Sequence, residues 1–472
     1  MALNNLPSSI QSVIQQGFLE RQFRQALRAK LGFRAIADKE PFMAGIGETI
    51  TKTRVGLLPA ITTPMAPASN SDFTSGLAAQ NYSVEQYALA VAQYPGVMQL
   101  NLATAKVAID DLYLQNAYAL GEQASRSVDT LAQRALYDAY MGGNTRVTTT
   151  LGSAGTTVHV DDVRGFFMTL NSQGQPVAVS SANTLAVQVG SNTYSLTAVV
   201  ADGSAPTTIN PWLSNLSFSG SSSNSSTAPN GYSGTLTFSG NVTVADATAG
   251  NAAVSAVAPV VMRPSVLSTG VMAATTLAIA SATDINNARL TMQMILTAKA
   301  NLSANGVPVV ADRGNYVLYS DPIQLTGLFQ DPAFQMFFRG KPDSKEYKKG
   351  LVAELLECEI VETNLNPVQV LSGVGTVHRA VLCGQGALVE GEFTGTSYLD
   401  AERADDAEGM ITVVDGIAHI TREPLDALKQ VITQSWSYIG GFAVPTDTTT
   451  NPNTIPTATN AALKRAAILE SL

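Results

Sequence analysis

An unbroken helical pattern runs through residues 108–141, AIDDLYLQNAYALGEQASRSVDTLAQRALYDAYM. Apolar residues recur along this stretch at steps of three or four, which is the period of an α-helix. They are Tyr113, Ala117, Leu120, Ala124, Val128, Leu131, Ala135 and Ala139. No proline interrupts the stretch, and Gly142 and Gly143 follow it, where glycine commonly ends a helix. The pattern predicts one amphipathic helix about 45–50 Å long, a backbone on which sheets and loops are hung.

An extended segment, residues 40–107, precedes this helix. Residues 48–55 alternate with period two, as a half-buried strand does, and a tip rich in proline and small polar residues follows. Two returning strands are predicted around 84–91 and 97–107, with Tyr94, Pro95 and Gly96 between them. Because an isolated two-stranded ribbon is marginal in water, we expect this hairpin to lie on a neighbouring molecule.

The chain opens with a second predicted helix, residues 8–31. Its charge is lopsided: Arg21, Arg24, Arg28 and Lys30 face only Glu20, and Arg34 follows. A run of this kind is usually a solvated helix face. Since it opens the chain without an obvious tie to a core, an arm that docks on another molecule is an equally good interpretation.

After Gly143 the composition changes, and residues 145–259 are dense in Gly, Ser, Thr, Val and Asn and contain no lysine. Short strand patterns recur between turn signals, which is typical of a small sandwich or barrel. The predicted strands are 156–160, 185–189, 194–200, 234–238 and 242–244. We interpret the block as an inserted β domain.

Mixed structure follows. A helix is predicted over 282–300, capped by Thr283 or Asp284. Strands are predicted over 307–310 and 316–319. Two short helices are predicted from Asp321 to Leu328 and from Asp331 toward Phe338, each with proline at its first position, where the missing N–H costs no hydrogen bond.

The last quarter alternates strands and helices in the same way. Strands are predicted near 359–362, 379–383 and 410–420. A helix is then predicted from Thr421 to Tyr438, closed by Gly440 and Gly441. A linker, 445–458, and a short basic helix, 460–471, end the prediction.

Bulk properties exclude several classes of protein. Of the 472 residues, 45% are hydrophobic and 14% are charged, with a net charge of −9. This balance argues against disorder and against nucleic-acid binding driven by phosphate neutralisation. The low charged fraction also suggests that other protein covers much of the surface, because interface cores lose charged residues. No signal peptide and no apolar run of membrane-spanning length is present, so we expect no membrane association.

The sequence has few residues in patterns typical of catalytic, cofactor-binding or metal-binding sites. His159, His378 and His419 lie singly in strand-like contexts, and Gly384 to Gly386 is a turn rather than a dinucleotide fingerprint. Cys358 and Cys383 match no metal spacing and predict buried, reduced thiols. We therefore predict no catalytic, cofactor-binding or metal-binding residues and no cofactor, and expect a protein that is not an enzyme.

The order of these parts resembles the major capsid proteins of tailed bacteriophages, whose fold is shared with herpesvirus shells. Six local strings carry the resemblance, which covers most of the chain outside 145–259. They are YSDP at 319–322 with LFQDPAF at 328–334, EYKKG at 346–350, VETN at 361–364, REPLD at 422–426 and SWSYIGGF at 435–442.

The resemblance implies an α+β phage major capsid fold with six parts. These are an N-terminal arm, 1–39; an extended β-hairpin loop, 40–107; the spine helix of the peripheral domain, 108–144; an inserted all-β domain, sandwich or barrel, 145–262; the mixed axial domain with the remaining peripheral-domain strands, 263–444; and a C-terminal linker with a short helix, 445–472.

The resemblance also implies the function: self-assembly as hexamers and pentamers into an icosahedral shell that encloses double-stranded DNA without sequence-specific binding, located in the virion and assembled in the host cytoplasm. A β-rich tail or surface adhesin component is the alternative. The short arm implies a separate scaffolding protein, and a portal and a decoration protein are further expected partners.

Basic side chains are the candidates for contacts between subunits, because they can pair with acidic surfaces of another copy. Local contact with nucleic acid is the alternative, which the net charge of −9 disfavours. The candidates are Arg21, Arg24, Arg28, Lys52, Arg54, Lys341, Lys345, Lys348 and Lys349.

Overall fold

The computed structural model describes residues 32–42, 49–55, 84–101, 112–160, 163, 166, 168–170, 176–201, 234–249, 251–255, 261–263, 271–272, 289–339, 354–355, 357–371, 375–393, 411–422, 431–445 and 465–471. These residues form a β-rich α+β fold with a short 3-10 helix, Phe33–Ile36. Its α-helices are α1 Leu112–Met141, α2 Met292–Ala304, α3 Pro322–Phe329 and α4 Pro332–Arg339.

The strands make three large sheets and two hairpins. They are β1 Ala37–Phe42, β2 Thr49–Val55, β3 Val84–Ala90, β4 Ala92–Asn101, β5 Asn144–Arg146, β6 Gly155–Val160, β7 Met168–Leu170, β8 Pro176–Ala178, β9 Leu185–Val189, β10 Asn192–Ala201, β11 Gly234–Val242, β12 Ala252–Val254, β13 Val261–Arg263, β14 Val271–Met272, β15 Tyr316–Ser320, β16 Glu354–Leu355, β17 Cys358–Glu362, β18 Val368–Leu371, β19 Gly375–Cys383, β20 Leu388–Phe393, β21 Ile411–Val414, β22 Ile417–Arg422, β23 Val431–Ala443 and β24 Ala466–Ser471.

Helix α1 confirms the predicted long helix over the part of 108–141 that is described. Its 30 residues make a rod about 45 Å long. Most of the predicted apolar stripe is buried: Ala117, Leu120, Ala124, Val128, Ala135 and Ala139. The helix ends at Met141, and Gly143 beyond it has a φ of 73°, a left-handed conformation that glycine adopts without strain.

One helix serves two hydrophobic cores. Its first half packs on the sheet that contains β22 and β23, and the second half packs on the sheet that contains β15, β19 and β24. The first core joins Leu120, Ala124 and Val128 to Val414, Ile417, Trp436 and Tyr438. The second joins Leu136, Tyr137 and Tyr140 to Val317, Val381 and Ile468. The rod therefore fixes the two sheets relative to each other.

The first sheet has the strand order β1-β20-β23-β22-β21, and β4 also pairs with β23. Strand β4 runs antiparallel to β23 from Ala92, opposite Gly440, to Asn101, opposite Val431. The predicted break at Tyr94, Pro95 and Gly96 is therefore wrong, because these residues lie inside β4. This part of the extended segment is stabilised by its own chain rather than by a neighbour.

The helix predicted from Thr421 to Tyr438 is wrong over its described residues, because Thr421 and Arg422 end β22 and residues 431–438 belong to β23. Residues 423–430 lie outside the described residues. Trp436 and Tyr438 are buried against α1, as the inward residues of a strand are. Gly440 and Gly441 continue the strand instead of ending a helix. A Cβ at Gly441 would overlap the carbonyl oxygen of Ala90, so glycine is needed here for a close backbone crossing.

The single strand predicted over 410–420 is a hairpin of β21 and β22. Asp415 and Gly416 form its turn, with φ values of 51° and 78°. Two central residues with positive φ are the hallmark of the tight turns that suit a right-twisted hairpin, and Asp-Gly is a preferred pair for them.

The second sheet, built from residues 144–254, has the order β5-β12-β9-β10-β11-β6. Val147, just after β5, forms an antiparallel bridge with Val160 at the end of β6, and Thr148 N donates to His159 O at 2.9 Å. These bonds close the sheet into a six-stranded barrel around a core of aliphatic residues with Phe166 and Phe238. The strand predicted over 242–244 is wrong as a separate element, since Val242 is the last residue of β11.

The third sheet has the order β14-β13-β24-β19-β15-β17-β16, with β18 also paired to β19. Strand β24 lies inside it, antiparallel to β19 and parallel to β13, and all six of its residues are buried. The short basic helix predicted over 460–471 is therefore wrong over 466–471. Alternate β24 residues enter two different cores, Ala466 and Ile468 on one face and Ala467 and Leu469 on the other.

Helices α2, α3 and α4 cover one face of this sheet with Met294, Leu328 and Phe334 buried. Helix α2 begins later than predicted, because Thr291 is its N-cap and accepts a hydrogen bond from Met294 N. The strand predicted over 307–310 is reduced to one bridge between Val310 and Asn315. Helices α3 and α4 begin at the predicted prolines.

Candidate functional site: assembly surfaces and their anchors

Strands β2 and β3 form a two-stranded ribbon of seven residue pairs, from Thr49 opposite Ala90 to Val55 opposite Val84. Strand β1 contacts both strands of the ribbon. Glu40 forms an ion pair with Lys52 at 2.7 Å and accepts a hydrogen bond from the hydroxyl of Tyr87 at 3.5 Å. Lys52 and Tyr87 are directly opposite each other in the ribbon, so one carboxylate ties both strands to the body.

The base of the ribbon crosses the first sheet. Leu89 is buried against Val389 of β20 and Ala443 of β23. Gly391 and Gly441 are opposite each other on β20 and β23, and both lie beneath the end of β3. Side chains of directly opposite residues in an antiparallel pair share a face, so two glycines leave a gap in that face of the sheet.

The segment that precedes β1 is anchored by buried charge. Arg34 and Glu390 pair at 2.7 Å, and both are almost fully buried. Tyr438 donates to Glu390 at 2.8 Å, and the Arg34 guanidinium also donates to Asp415 O at 2.7 Å. Burial lowers the pKa of Arg34, but the hydrogen bond and charge of Glu390 outweigh it and raise that pKa overall. Arg34 is therefore a structural ion, not part of a solvated basic face.

Asp129 of α1 completes this anchor. Its carboxylate accepts hydrogen bonds from Gly32 N at 3.2 Å and Arg34 N at 3.0 Å. Burial raises the pKa of Asp129 to about 6, although the amide hydrogen bonds and the charge of Arg34 act in the opposite direction. Residues 32–34, which lead into β1, are thus held by one carboxylate on the long helix.

Stability should depend on the protonation of Asp129. Because its pKa is raised in the folded state, the folded protein binds the proton more tightly, and the free energy of unfolding falls as pH rises from about 4 to 6. This contribution is about 2–3 kcal/mol. In Asp129→Asn the amide oxygen still accepts the two hydrogen bonds, so we expect equal or higher stability at pH 7.5 and a weaker fall between pH 4 and 6.

Urea denaturation of wild type and Asp129→Asn at pH 4.5 and 7.5 measures this difference. Asp331→Asn is a control, because Asp331 is a half-buried carboxylate that caps α2 and α4 through the amides of Met292 and Ala333. A stability difference between wild type and Asp129→Asn that stays constant with pH would contradict the prediction.

Three segments of the chain meet at a buried carboxylate in β24. Glu470 pairs with Arg146 of β5 and with Arg379 of β19, the latter at 3.1 Å, and all three side chains are buried. The same strand is bound to α3, because Gln324 donates to Ser471 at 2.9 Å. Strand β24 therefore joins the barrel, the third sheet and the helices.

The histidines lie in strands, as predicted. His378 of β19 contacts Asp321, the carboxylate that caps α3 through Ile323 N and Gln324 N. His159 of β6 lies 3.0 Å from the hydroxyl of Thr235. Burial lowers the pKa of His419 to about 4, so this residue is neutral at pH 7. Packing or hydrogen bonding within the described residues thus accounts for each of the three histidines.

Apolar side chains are exposed on helices α3 and α4. Ile323 is 57% exposed and Met336 is 70% exposed. Between residues 321 and 338 the only charged side chains are Asp321 and Asp331, and both are occupied as helix caps. Exposed apolar residues on helices with few charged side chains of their own are typical of the centres of protein interfaces.

The structure describes two of the nine predicted contact residues. Lys52 is half-buried and pairs with Glu40 of its own chain, and Arg54 lies in β2. The others lie outside the described residues: Arg21, Arg24, Arg28, Lys341, Lys345, Lys348 and Lys349. Their role stays a prediction. The predicted helix 8–31 and residues 446–458 of the predicted linker also lie outside the described residues.

Cys358 and Cys383 are free, buried thiols, as predicted, and burial raises the pKa of Cys358 to about 11. In the described part of the chain, no three His, Cys, Asp or Glu side chains are placed to hold a metal ion. The described helices include none that combines the length and apolar character needed to cross a bilayer.

Comparisons with known proteins find structural similarity at low identity. No family model and no curated protein matches the chain. A chain of the capsid of Ralstonia phage GP4 is 12% identical, with a TM-score of 0.46 over 94% of this chain and 88% of that chain. The capsid asymmetric unit of cyanophage Pam1 gives 12% identity and a TM-score of 0.47 over 95% and 91%. The capsid of cyanophage P-SCSP1u gives 11% and 0.44 over 94% and 88%. All three structures are phage capsids.

Proposed function

We propose that this chain is a major capsid protein, which assembles with copies of itself as hexamers and pentamers into an icosahedral shell around double-stranded phage DNA. Its role in this proposal is structural rather than enzymatic.

The β2–β3 ribbon is the observation that carries the proposal. It is a two-stranded sheet of its own, tied to the body through Lys52, Tyr87 and Leu89. Two strands alone are marginally stable in water, because each has only one partner and they enclose no core. A ribbon of this kind gains stability by lying on another molecule, and identical neighbours provide such a surface throughout a shell.

The arrangement around the ribbon supports the same role. Helix α1 packs on two sheets and makes a rigid body from which the ribbon projects. A shell subunit needs this combination, because a stiff body sets the spacing between neighbours and an extended element adds contact area. Stable contacts of this type bury about 1,200–2,000 Å².

The proposal assigns the parts of the chain as follows. Residues 1–39 are the N-terminal arm, 40–107 the extended loop, 108–144 the spine helix and 145–262 the inserted β domain. Residues 263–444 are the axial domain with the remaining peripheral-domain strands. The closed barrel within residues 144–254 supports the inserted domain as a unit with its own core. The C-terminal part, 445–472, supplies a sheet strand in place of the predicted helix.

The proposed partners are other copies of the chain, a separate scaffolding protein, a portal and a decoration protein. Packaged DNA is enclosed without sequence-specific contacts. The net charge of −9 supports this last point, because an acidic protein does not adhere to DNA through phosphate neutralisation. Assembly would take place in the host cytoplasm and the product would be the virion.

Negative-stain microscopy and sedimentation of the purified full chain test the proposal. We expect capsomers or closed shells of uniform diameter, alone or after addition of the scaffolding protein. A chain that stays monomeric under both conditions, with the ribbon ordered by hydrogen exchange, would overturn it.

The exposed residues of α3 and α4 give a prediction for assembly. Met336→Asp replaces an exposed apolar side chain by a charged one without disturbing a core, so we expect a change of no more than about 0.5 kcal/mol in subunit stability. We expect each contact to weaken by about 1.4 kcal/mol, a tenfold change in its equilibrium constant. Because a particle needs many such contacts, the yield of assembled particles should fall at least about tenfold.

Ala300→Asp is the matched control, because Ala300 is exposed on α2. It adds the same charge to a neighbouring helix. Sedimentation of both variants beside the wild type separates the effects. Normal particle yield for Met336→Asp would mean that this surface faces solvent in the shell.

A further inference from the structure

We propose that Gly391 and Gly441, here called the glycine notch, are positioning residues that set the angle at which the β2–β3 ribbon leaves the body, and through that angle the way subunits join. The inference rests on the proposed function, since it names residues that would govern the geometry of the shell.

The notch is defined by close backbone approach. A Cβ on Gly441 would overlap the carbonyl oxygen of Ala90 and lie 3.0 Å from its carbonyl carbon. A Cβ on Gly391 would lie 3.1–3.3 Å from three atoms of the Leu89 side chain. The last two residues of β3 therefore rest directly on the two glycines.

The chain changes direction at this point. Ala90 ends β3 above the sheet. After Val91 the chain continues as β4, whose first residue, Ala92, pairs with Gly440 of β23. The notch is thus the junction between the ribbon and the sheet. Any side chain in it must push the end of β3 away from β23.

The ribbon converts a small displacement at its base into a larger one farther out. Its seven residue pairs extend about 23 Å from the notch, at about 3.3 Å per residue. Glu40 of β1 also holds the ribbon against the body, through its contacts with Lys52 and Tyr87. A tilt at the base would therefore move the outer end of the ribbon relative to the surface on which it lies in a neighbour.

The two glycines face different kinds of atoms, so substitutions at the two positions should differ in the size of their effect. Gly441 opposes backbone atoms, which cannot yield without moving the chain. Gly391 opposes the end of a leucine side chain, which can rotate or be shortened. Gly391→Ala should therefore have a moderate effect that Leu89→Ala relieves, whereas Gly441→Ala should have a larger effect.

Two further glycines supply matched controls. Gly152 and Gly240 have open space where a Cβ would be added. Gly152→Ala and Gly240→Ala make the same chemical change as the notch variants and leave the ribbon untouched. Both should behave as the wild type in every measurement.

The direction of the ribbon is measured on unassembled subunits with spin labels at Thr53→Cys on β2 and Val413→Cys on β21. Pulsed electron resonance gives the distance distribution between the labels. We expect a shifted mean distance in Gly441→Ala, a smaller shift in Gly391→Ala, and return toward the wild-type value in Gly391→Ala with Leu89→Ala. Circular dichroism melting establishes that each variant is folded.

Assembly is then measured by sedimentation and particle diameter in the same variants without labels. We expect Gly441→Ala to lower the yield of regular particles at least tenfold or to change their diameter, with Gly391→Ala in between. Unchanged distances and regular particles in Gly441→Ala would overturn the inference. If Gly441→Ala does not fold, unchanged distances and regular particles in Gly391→Ala overturn it. Absence of particles from the wild type would instead overturn the proposed function.

Discussion

Glu470→Gln is expected to lower the free energy of unfolding of the subunit by about 3–5 kcal/mol. The substitution keeps the shape of the side chain and removes its charge. Arg146 and Arg379 both remain buried, and the carboxylate that pairs with both of them is gone. The loss is large because buried charges gain little solvation in the folded state once their partner is removed.

Urea denaturation of the unassembled subunit measures this change, with Glu362→Gln as the control. Glu362 is exposed at the end of β17, so the same substitution there should change stability by no more than about 0.5 kcal/mol. Equal stability of Glu470→Gln and Glu362→Gln would show that the two arginines do not depend on Glu470.

Leu120→Asp should have an effect of the same size. Leu120 is fully buried between α1 and the first sheet, where it belongs to the core of Ile417, Trp436 and Tyr438. An unpaired carboxylate in this position either stays charged or takes up a proton, and both cost free energy. We expect the free energy of unfolding to fall by about 3–5 kcal/mol.

Ala119→Asp isolates the effect of burial, because Ala119 is exposed on the same turn of α1. It introduces the same residue with the same helix propensity. Thermal and urea denaturation of both variants compare them directly. A melting temperature for Leu120→Asp as high as that of Ala119→Asp would mean that the stripe of α1 is not packed in solution.

Sequence patterns correctly predict the elements that are stabilised by residues close to one another in the chain. The stripe of α1 repeats over many turns, and the Asp-Pro pairs before α3 and α4 combine an N-cap with a favoured first residue. Asp321 even forms a complete capping box with Gln324. The short strands of the barrel were predictable for the same reason, since turn residues mark their ends.

Elements that depend on distant partners were not predictable. Residues 466–471, AAILES, favour a helix by propensity, but their position between β13 and β19 makes them a strand. In β23, Gly440 and Gly441 resembled a helix end because nothing local shows that Ala90 crosses above them. A close backbone approach between residues 351 positions apart leaves no pattern in either segment.

The same limit applies to the candidate site. Lys52 was identified because it lies in a strand pattern within the extended segment, although its pairing with Glu40 was not foreseen. Arg34 was grouped with the basic helix because its partners Asp129 and Glu390 are 95 and 356 residues away. The one local signal was its position between the buried residues Phe33 and Ile36.

The barrel begins and ends at neighbouring points of the fold. Its first and last strands are hydrogen-bonded to each other, with Asn144 opposite Val254, and Ser255 N donates to Gly143 O at 2.9 Å. The distance between these two points is set by one strand pair and does not depend on what lies between them. Under the proposed function, this module can change in length between β6 and β11 without altering the distance between its ends, as long as Arg146 is kept as the partner of Glu470.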